Sequence, residues 1–209
     1  MSVVRCVFAG ATLVAAALLP PRAAAQTAEQ TAWCNGTGNP TSDQQISGCT
    51  AVIASRSVTG DRLAIVFNSR GNAYLRIKEF ERAIEDYNQS ILYDISNADT
   101  FYNRGLAYRR NGNYEHAIAD FTHAITGYDA SRHPAYYKRD YFKARGDAYS
   151  DKGGLDNAIA DYSEAIKIDS NYARAFYNRG EAKKKIGDTT GGDADLAKAK
   201  ELQANIGPE

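Results

Sequence analysis

Residues 98–131 read ADTFYNRGLAYRRNGNYEHAIADFTHAITGYDAS. Two helical patterns lie in this stretch. Phe101, Arg104, Gly105 and Tyr108 recur at steps of three and four, which places them on one face of a first helix. Asn111-Gly112-Asn113 supplies a turn, and Tyr114, Ala117, Ile118, Phe121, Ala124 and Ile125 then form the apolar face of a second helix. Gly105 and Ala117 leave room for the two helices to approach, so close packing excludes bulky side chains at both.

The same pattern recurs outward in both directions. Arg-Gly steps stand at Arg70-Gly71, Arg104-Gly105, Arg145-Gly146 and Arg179-Gly180, with Phe67, Phe101, Phe142 and Phe176 three residues before each Arg. Successive glycines are 34, 41 and 34 residues apart. In the first three units Tyr74, Tyr108 and Tyr149 follow the glycine by three residues, Ala83, Ala117 and Ala158 by twelve, and Tyr87, Phe121 and Tyr162 by sixteen. An internal repeat of this period fixes the units at 64–97, 98–131, 139–172 and 173–206, with an insertion at 132–138. The motif resembles the tetratricopeptide repeat (TPR) family. That resemblance implies an all-α, right-handed solenoid of helix-turn-helix repeats. Three departures stand out: Arg replaces the usual Leu before the glycine, Ile95, Asp129 and Ser170 replace the usual Pro, and the fourth unit is eroded. In that unit Lys183, Gly192 and Leu196 replace the Tyr, Ala and aromatic, and Thr189, Gly192, Asp193 and Lys200 are expected on an outer face returned to water.

The ends differ in kind. Residues 1–25 carry a single early charge at Arg5, a short apolar run from Cys6 to Leu19, Pro20-Pro21, and Ala23-Ala24-Ala25. That is the layout of a secretory signal peptide cleaved before Gln26, with an apolar run too short to span a bilayer as a stable anchor. The chain has 25 basic and 25 acidic residues, and without Arg5 and Arg22 the mature part has 23 against 25, a net charge of −2. No basic footprint for nucleic acid results. Cys34 and Cys49 are then the only cysteines, and in an oxidising compartment they are expected to pair, removing about 3 kcal/mol of denatured-state entropy. Residues 26–63 read as a polar tail to Thr41 followed by a capping half-repeat helix. The helix is expected to open at Ser42 with Gln45 in capping-box spacing and to end between Ser55 and Gly60.

Seven residues separate units two and three beyond the regular period, close to two helical turns, so a helix can lengthen there with little rotation of its face. Pro134 suits a helix start. The first helix of unit three is therefore expected to begin near it and to project by roughly 10 Å at 1.5 Å per residue, a disordered loop being the alternative that Gly127 and His133-Pro134 leave open. Tyr128, Tyr136, Tyr137, Tyr141 and Phe142 crowd this region, where packing and binding roles compete.

In the TPR family the first helices line a concave groove, and the resemblance assigns as its candidates Asn72, Arg76, Asp99, Tyr102, Leu106, Arg109, Arg110, Lys143, Asp147, Asp151, Tyr177 and Lys184. Ile65, Asn68 and Asp140 share the same surface. Charge alternates along it, basic, acidic around Asp140 to Asp151, then basic, a banding that could orient a peptide. A specialised TPR groove that clamps a C-terminal carboxylate is not matched. Asn72 and Asn103 fit two of its positions, but Asn68, Asp140 and Ala144 occupy those that need cations.

Arg70, Arg104, Arg145 and Arg179 are each followed sixteen residues later by Asp86, Asp120, Asp161 and Asp195. Recurrence in every unit points to structural ion pairs. His116 and His123 lack the companions of a metal site, and no phosphate loop or catalytic constellation is present, so neither cofactor nor metal is expected. The whole chain looks like an exported bacterial TPR protein of the periplasm. The resemblance implies a non-enzymatic scaffold for a protein or peptide partner. A structural protein that self-associates into a homo-oligomer through the helix near 134–142 is the alternative.

Overall fold

The computed structural model describes residues 21–131 and 134–204. Among these it contains ten helices and no strand: α1 (Pro21–Cys34), α2 (Ser42–Ser55), α3 (Asp61–Arg76), α4 (Phe80–Tyr93), α5 (Ala98–Arg110), α6 (Tyr114–Thr126), α7 (Ala135–Lys152), α8 (Leu155–Ile168), α9 (Ala173–Lys185) and α10 (Thr189–Ala204). Each helix packs on the next in sequence, and the odd-numbered helices also touch one another in order, so the molecule is a row of helical hairpins in two layers. This is the all-α solenoid implied by the repeat.

Local chemistry sets each hairpin. Four first helices end in a left-handed turn at one register, occupied by Lys78 (φ 66°), Gly112 (78°), Gly153 (92°) and Gly187 (93°). Where the paired helices cross, Gly71, Gly105 and Gly146 face the rings of Tyr87, Phe121 and Tyr162, and a Cβ on Gly105 would lie 2.7 Å from Phe121 Cε1. Those three rings and Ala83, Ala117 and Ala158 are buried, forming the spine between layers.

The recurrent Arg and Asp meet in all four units as bidentate pairs. Nε and Nη2 of Arg70, Arg104, Arg145 and Arg179 donate to both carboxylate oxygens of Asp86, Asp120, Asp161 and Asp195 at 2.7–2.8 Å. The remaining Nη1 reaches back to the preceding hairpin, to Thr50, Asn88, Thr122 and Ser163 respectively. Each Arg therefore closes its own hairpin and fixes its register against the preceding one, and the fork geometry explains why Arg rather than Lys recurs.

The ends depart from expectation. Residues of the expected polar tail are helical up to Cys34, so α1 and α2 form a complete hairpin where a lone capping helix was anticipated. Cys34 and Cys49 are disulfide-bonded across it, with Cα atoms 4.6 Å apart. The capping box of α2 is Thr41 with Gln44, one residue earlier than anticipated, because Gln45 is buried and donates to the Cys34 carbonyl. At the other end Gly192, expected on a water-facing surface, is buried: it takes the alanine register and lies against Gly180 O and Lys184. Lys183, in place of the repeat's Tyr, pairs with Asp195 at 2.8 Å and so joins the inter-helix tie. The leader expected at 1–25 falls mostly on residues 1–20, and the end of unit four on 205–206, outside the described residues.

α7 is the longest helix, 18 residues against 13 for α5 and α9. It begins at Ala135, next to Pro134, four residues before the unit boundary at 139, which lengthens it there by about 6 Å. The added turn does not stand clear of the array: Tyr137 is half-buried, Tyr141 is buried, and Tyr136 is exposed.

Candidate functional site

The first helices α3, α5 and α7 lie side by side, and their inner faces enclose a cavity of about 440 Å³. From α3 come Ile65, Asn68, Ser69 and Asn72, from α5 with its cap Asn97, Asp99, Tyr102 and Asn103, and from α7 Tyr137, Asp140 and Tyr141. Ile65 is 58% exposed there, an apolar side chain left open to solvent.

A chain of amides lines the floor. Asn72 Nδ2 donates to Asn68 Oδ1 at 3.0 Å, Asn103 Nδ2 reaches the same oxygen at 3.5 Å, Asn68 Nδ2 donates to Thr100 Oγ1 at 2.6 Å, and Tyr87 O–H donates to Asn72 Oδ1 at 2.7 Å. These bonds hold the amides in fixed orientations across two units. The opposite wall is aromatic. The Tyr102 and Tyr141 rings lie 5.0 Å apart, and Tyr141 donates to Asp99. Burial, then the charges of Asp140 and Asp147, push the Tyr102 phenol up to about 12, and burial with the bond to Asp99 raises that of Tyr141. Both therefore remain hydroxyl donors through the physiological range. No Lys or Arg is among the described lining residues.

A second concavity of about 270 Å³ lies further along, between α7 and α9, lined by Arg109, Asp147, Ser150, Asp151, Tyr162, Tyr177, Asn178, Glu181 and Lys185. Its charges close on each other. Arg109 pairs with Asp147 at 3.1 Å and with Asp151 at 2.6 Å, and Lys143 pairs with Asp147 at 2.7 Å. Asp147, buried, also accepts from Tyr162 and Asn178. The alternating charges read along the surface thus tie unit two to unit three.

The expected candidates consequently separate. Asn72, Asp99 and Tyr102 meet in the larger cavity, and Arg109, Asp147, Asp151 and Tyr177 in the smaller. Arg76 turns to the first hairpin, donating to Ser42 and Gln45. Leu106 packs into the core between units, and Lys184 pairs with Asp193 of α10. Arg110 is exposed, lines neither concavity, and makes no ion pair among the described residues. Ser69, Asn97, Tyr137, Tyr141 and Asn178 line the concavities without having been assigned to them. Asn103 and Asn178 share one register, just before the Arg-Gly step, a recurrence visible in the chain itself. Tyr137 depends on the insertion, whose course no repeat predicts.

Among the described residues no group of three His, Cys, Asp or Glu is placed to hold a metal ion. No described helix is long and apolar enough to cross a membrane.

The TPR repeat family model matches residues 71–112 and 146–187. The chain belongs to the tetratricopeptide repeat family. Among solved structures, this TPR chain is similar to MamA (residues 41 to the end) from Desulfovibrio magneticus RS-1, at 14% identity over 87% of this chain and 96% of that one, TM-score 0.73. YrrB, described as a TPR protein with an unusual peptide-binding site, is 18% identical over 78% of each chain, TM-score 0.64. The second TPR domain of human RPAP3, solved with an HSP70 peptide, is 31% identical over 57% of this chain and 94% of that one, TM-score 0.52. A search of curated proteins finds no match.

Proposed function

We propose that the protein is a non-enzymatic scaffold that holds an extended segment of a partner protein across the inner faces of α3, α5 and α7. The observation that carries this reading is the cavity of about 440 Å³, whose floor of oriented amides suits main-chain N–H and C=O groups, and whose Ile65, Tyr102 and Tyr141 suit side chains. That YrrB and RPAP3 are described with peptides supports it. A peptide ending in a carboxylate is disfavoured, since no described cation lines the cavity.

The test is selection from a random linear peptide library, followed by titration of the selected peptide. Ile65→Glu and Asn103→Ala are expected to weaken binding by about tenfold or more each, the worth of roughly 1.4 kcal/mol, while Gln89→Ala, on the exposed side of α4, leaves it unchanged. Selected peptides that bind all three variants alike would remove the groove assignment. We also propose export to the periplasm, which the leader pattern and the Cys34–Cys49 disulfide support. Cell fractionation that recovers the protein in the cytoplasm with both thiols reduced would refute it.

A further inference from the structure

We propose that the Cys34–Cys49 disulfide is the latch on which docking of α1 depends, so that reduction releases α1 while α3–α10 keep their fold. Thr50 accepts the Nη1 bond of Arg70 as Asn88, Thr122 and Ser163 accept those of Arg104, Arg145 and Arg179. Aligning Thr50 with these residues places Cys49 at the register of Tyr87, Phe121 and Tyr162, and Gly48 at that of Asp86, Asp120 and Asp161. The α1–α2 hairpin is therefore a further degenerate repeat that has lost its carboxylate. Gly48 offers no side chain to an arginine, and the backbone of α1 fills the space instead, with Gln30 O nearest to where a Cβ would stand and Cys34 N 3.0 Å from it. Across this hairpin the disulfide replaces the ion pair.

Beside the disulfide, the Cys34 carbonyl accepts a hydrogen bond from Gln45 of α2. Over residues 27–34 Cys34 is the one buried side chain, whereas α3 buries seven residues and α5 five. A helix of 14 residues is marginal on its own in water, so α1 depends on what fastens it. Cys34 enters a cluster with Cys49, Val52 and Val66, against which Ile53 and Val58 pack, and every member but Cys34 lies in α2, α3 or the turn between them. That cluster and the Arg70–Thr50 bond keep α2 on the array when α1 leaves.

A dithiol supplies the two electrons. One thiolate attacks the sulfur of one cysteine, breaking the protein S–S bond, expelling its partner cysteine as a thiolate and leaving a mixed disulfide; the second thiolate attacks the reductant's own sulfur in that mixed disulfide, closing the ring and expelling the first cysteine as a thiolate. Cys34 and Cys49 each end as a thiol after taking up one proton. Both residues are buried, at 1% and 0% exposure, so attack waits on local opening of α1.

Trp33, the chain's only Trp, sits beside the bridge and reports on it. Amide exchange and Trp33 emission of the full chain are compared before and after reduction by excess dithiol, without alkylation, and in the variant Cys34→Ala/Cys49→Val, which keeps the core apolar. The expected result is loss of exchange protection confined to α1, with a red shift of Trp33 and unchanged protection in α3–α10. Retained protection of α1 in the reduced protein would show that packing suffices and overturn the proposal. Loss spreading through α3–α10 together with α1 would overturn it as well, by showing one cooperative unit.

Discussion

At Lys78 the backbone holds φ at 66° in the register where the next three units place Gly112, Gly153 and Gly187. A left-handed conformation costs a residue with a Cβ about 1–2 kcal/mol, and the Lys78 side chain is exposed with no ion pair among the described residues to offset it. Lys78→Gly is therefore expected to raise stability by about 1 kcal/mol after allowing for the extra freedom of glycine in the unfolded chain. Urea denaturation checks this, and a fall in midpoint would mean that Lys78 contributes a contact the geometry does not show. The same scale shows what the chain discloses and what it conceals. Arg104 and Asp120 announce their pairing because the sixteen-residue step recurs in every unit. Gly192 gave the opposite impression from its sequence: a small residue in an eroded terminal repeat looks like solvent-facing erosion. It is instead a tighter helix crossing, with the Gly180 carbonyl 2.8 Å from where its Cβ would stand.

Among the elements, α7 and α1 were the least legible, for different reasons. The extra turn of α7 followed from a seven-residue insertion that nearly preserves helical phase, but not the inward turn of Tyr137 to wall the groove. Deleting residues 132–138 restores the regular period and is expected to leave the far-UV spectrum and the cooperative melt in place. Stability should fall by about 1–2 kcal/mol, the worth of a half-buried aromatic, through loss of Tyr137 from its cluster with Phe101, Ala124 and Tyr141. A peptide selected on the intact groove should bind the deletion more weakly. Equal binding would remove Tyr137 from the groove without touching the rest of it. α1 escaped because helical periodicity is a record of burial. Residues 27–34 bury little besides Cys34, so the amphipathic signal that revealed α4 and α6 was never written there.

Across the whole molecule, each hairpin leans only on its neighbours, so stability is local and the ends open first. The two ends are fastened differently, one by a disulfide and the other by charge. Burial works against ionisation of Asp195, but its bonds to Arg179 and Lys183 prevail and hold the carboxyl below its ordinary value. A depressed folded pKa means stability that is fully present above the unfolded value and lost as pH falls through the folded one. The terminal hairpin α9–α10 is thus expected to lose exchange protection as pH drops below about 3.9, the ordinary value for Asp, before the interior hairpins do. Lys183→Met keeps the Arg179 fork but removes the second cation, which raises the folded pKa toward the unfolded one. Its contribution at neutral pH shrinks, and although the loss still sets in at the unfolded value it is complete at a higher pH, so the less stable α9–α10 hairpin opens with a higher acid midpoint. Acid titration followed by amide exchange distinguishes the cases. An unchanged acid midpoint in the variant would mean that Lys183 is a spectator and that Arg179 alone fastens this end of the array.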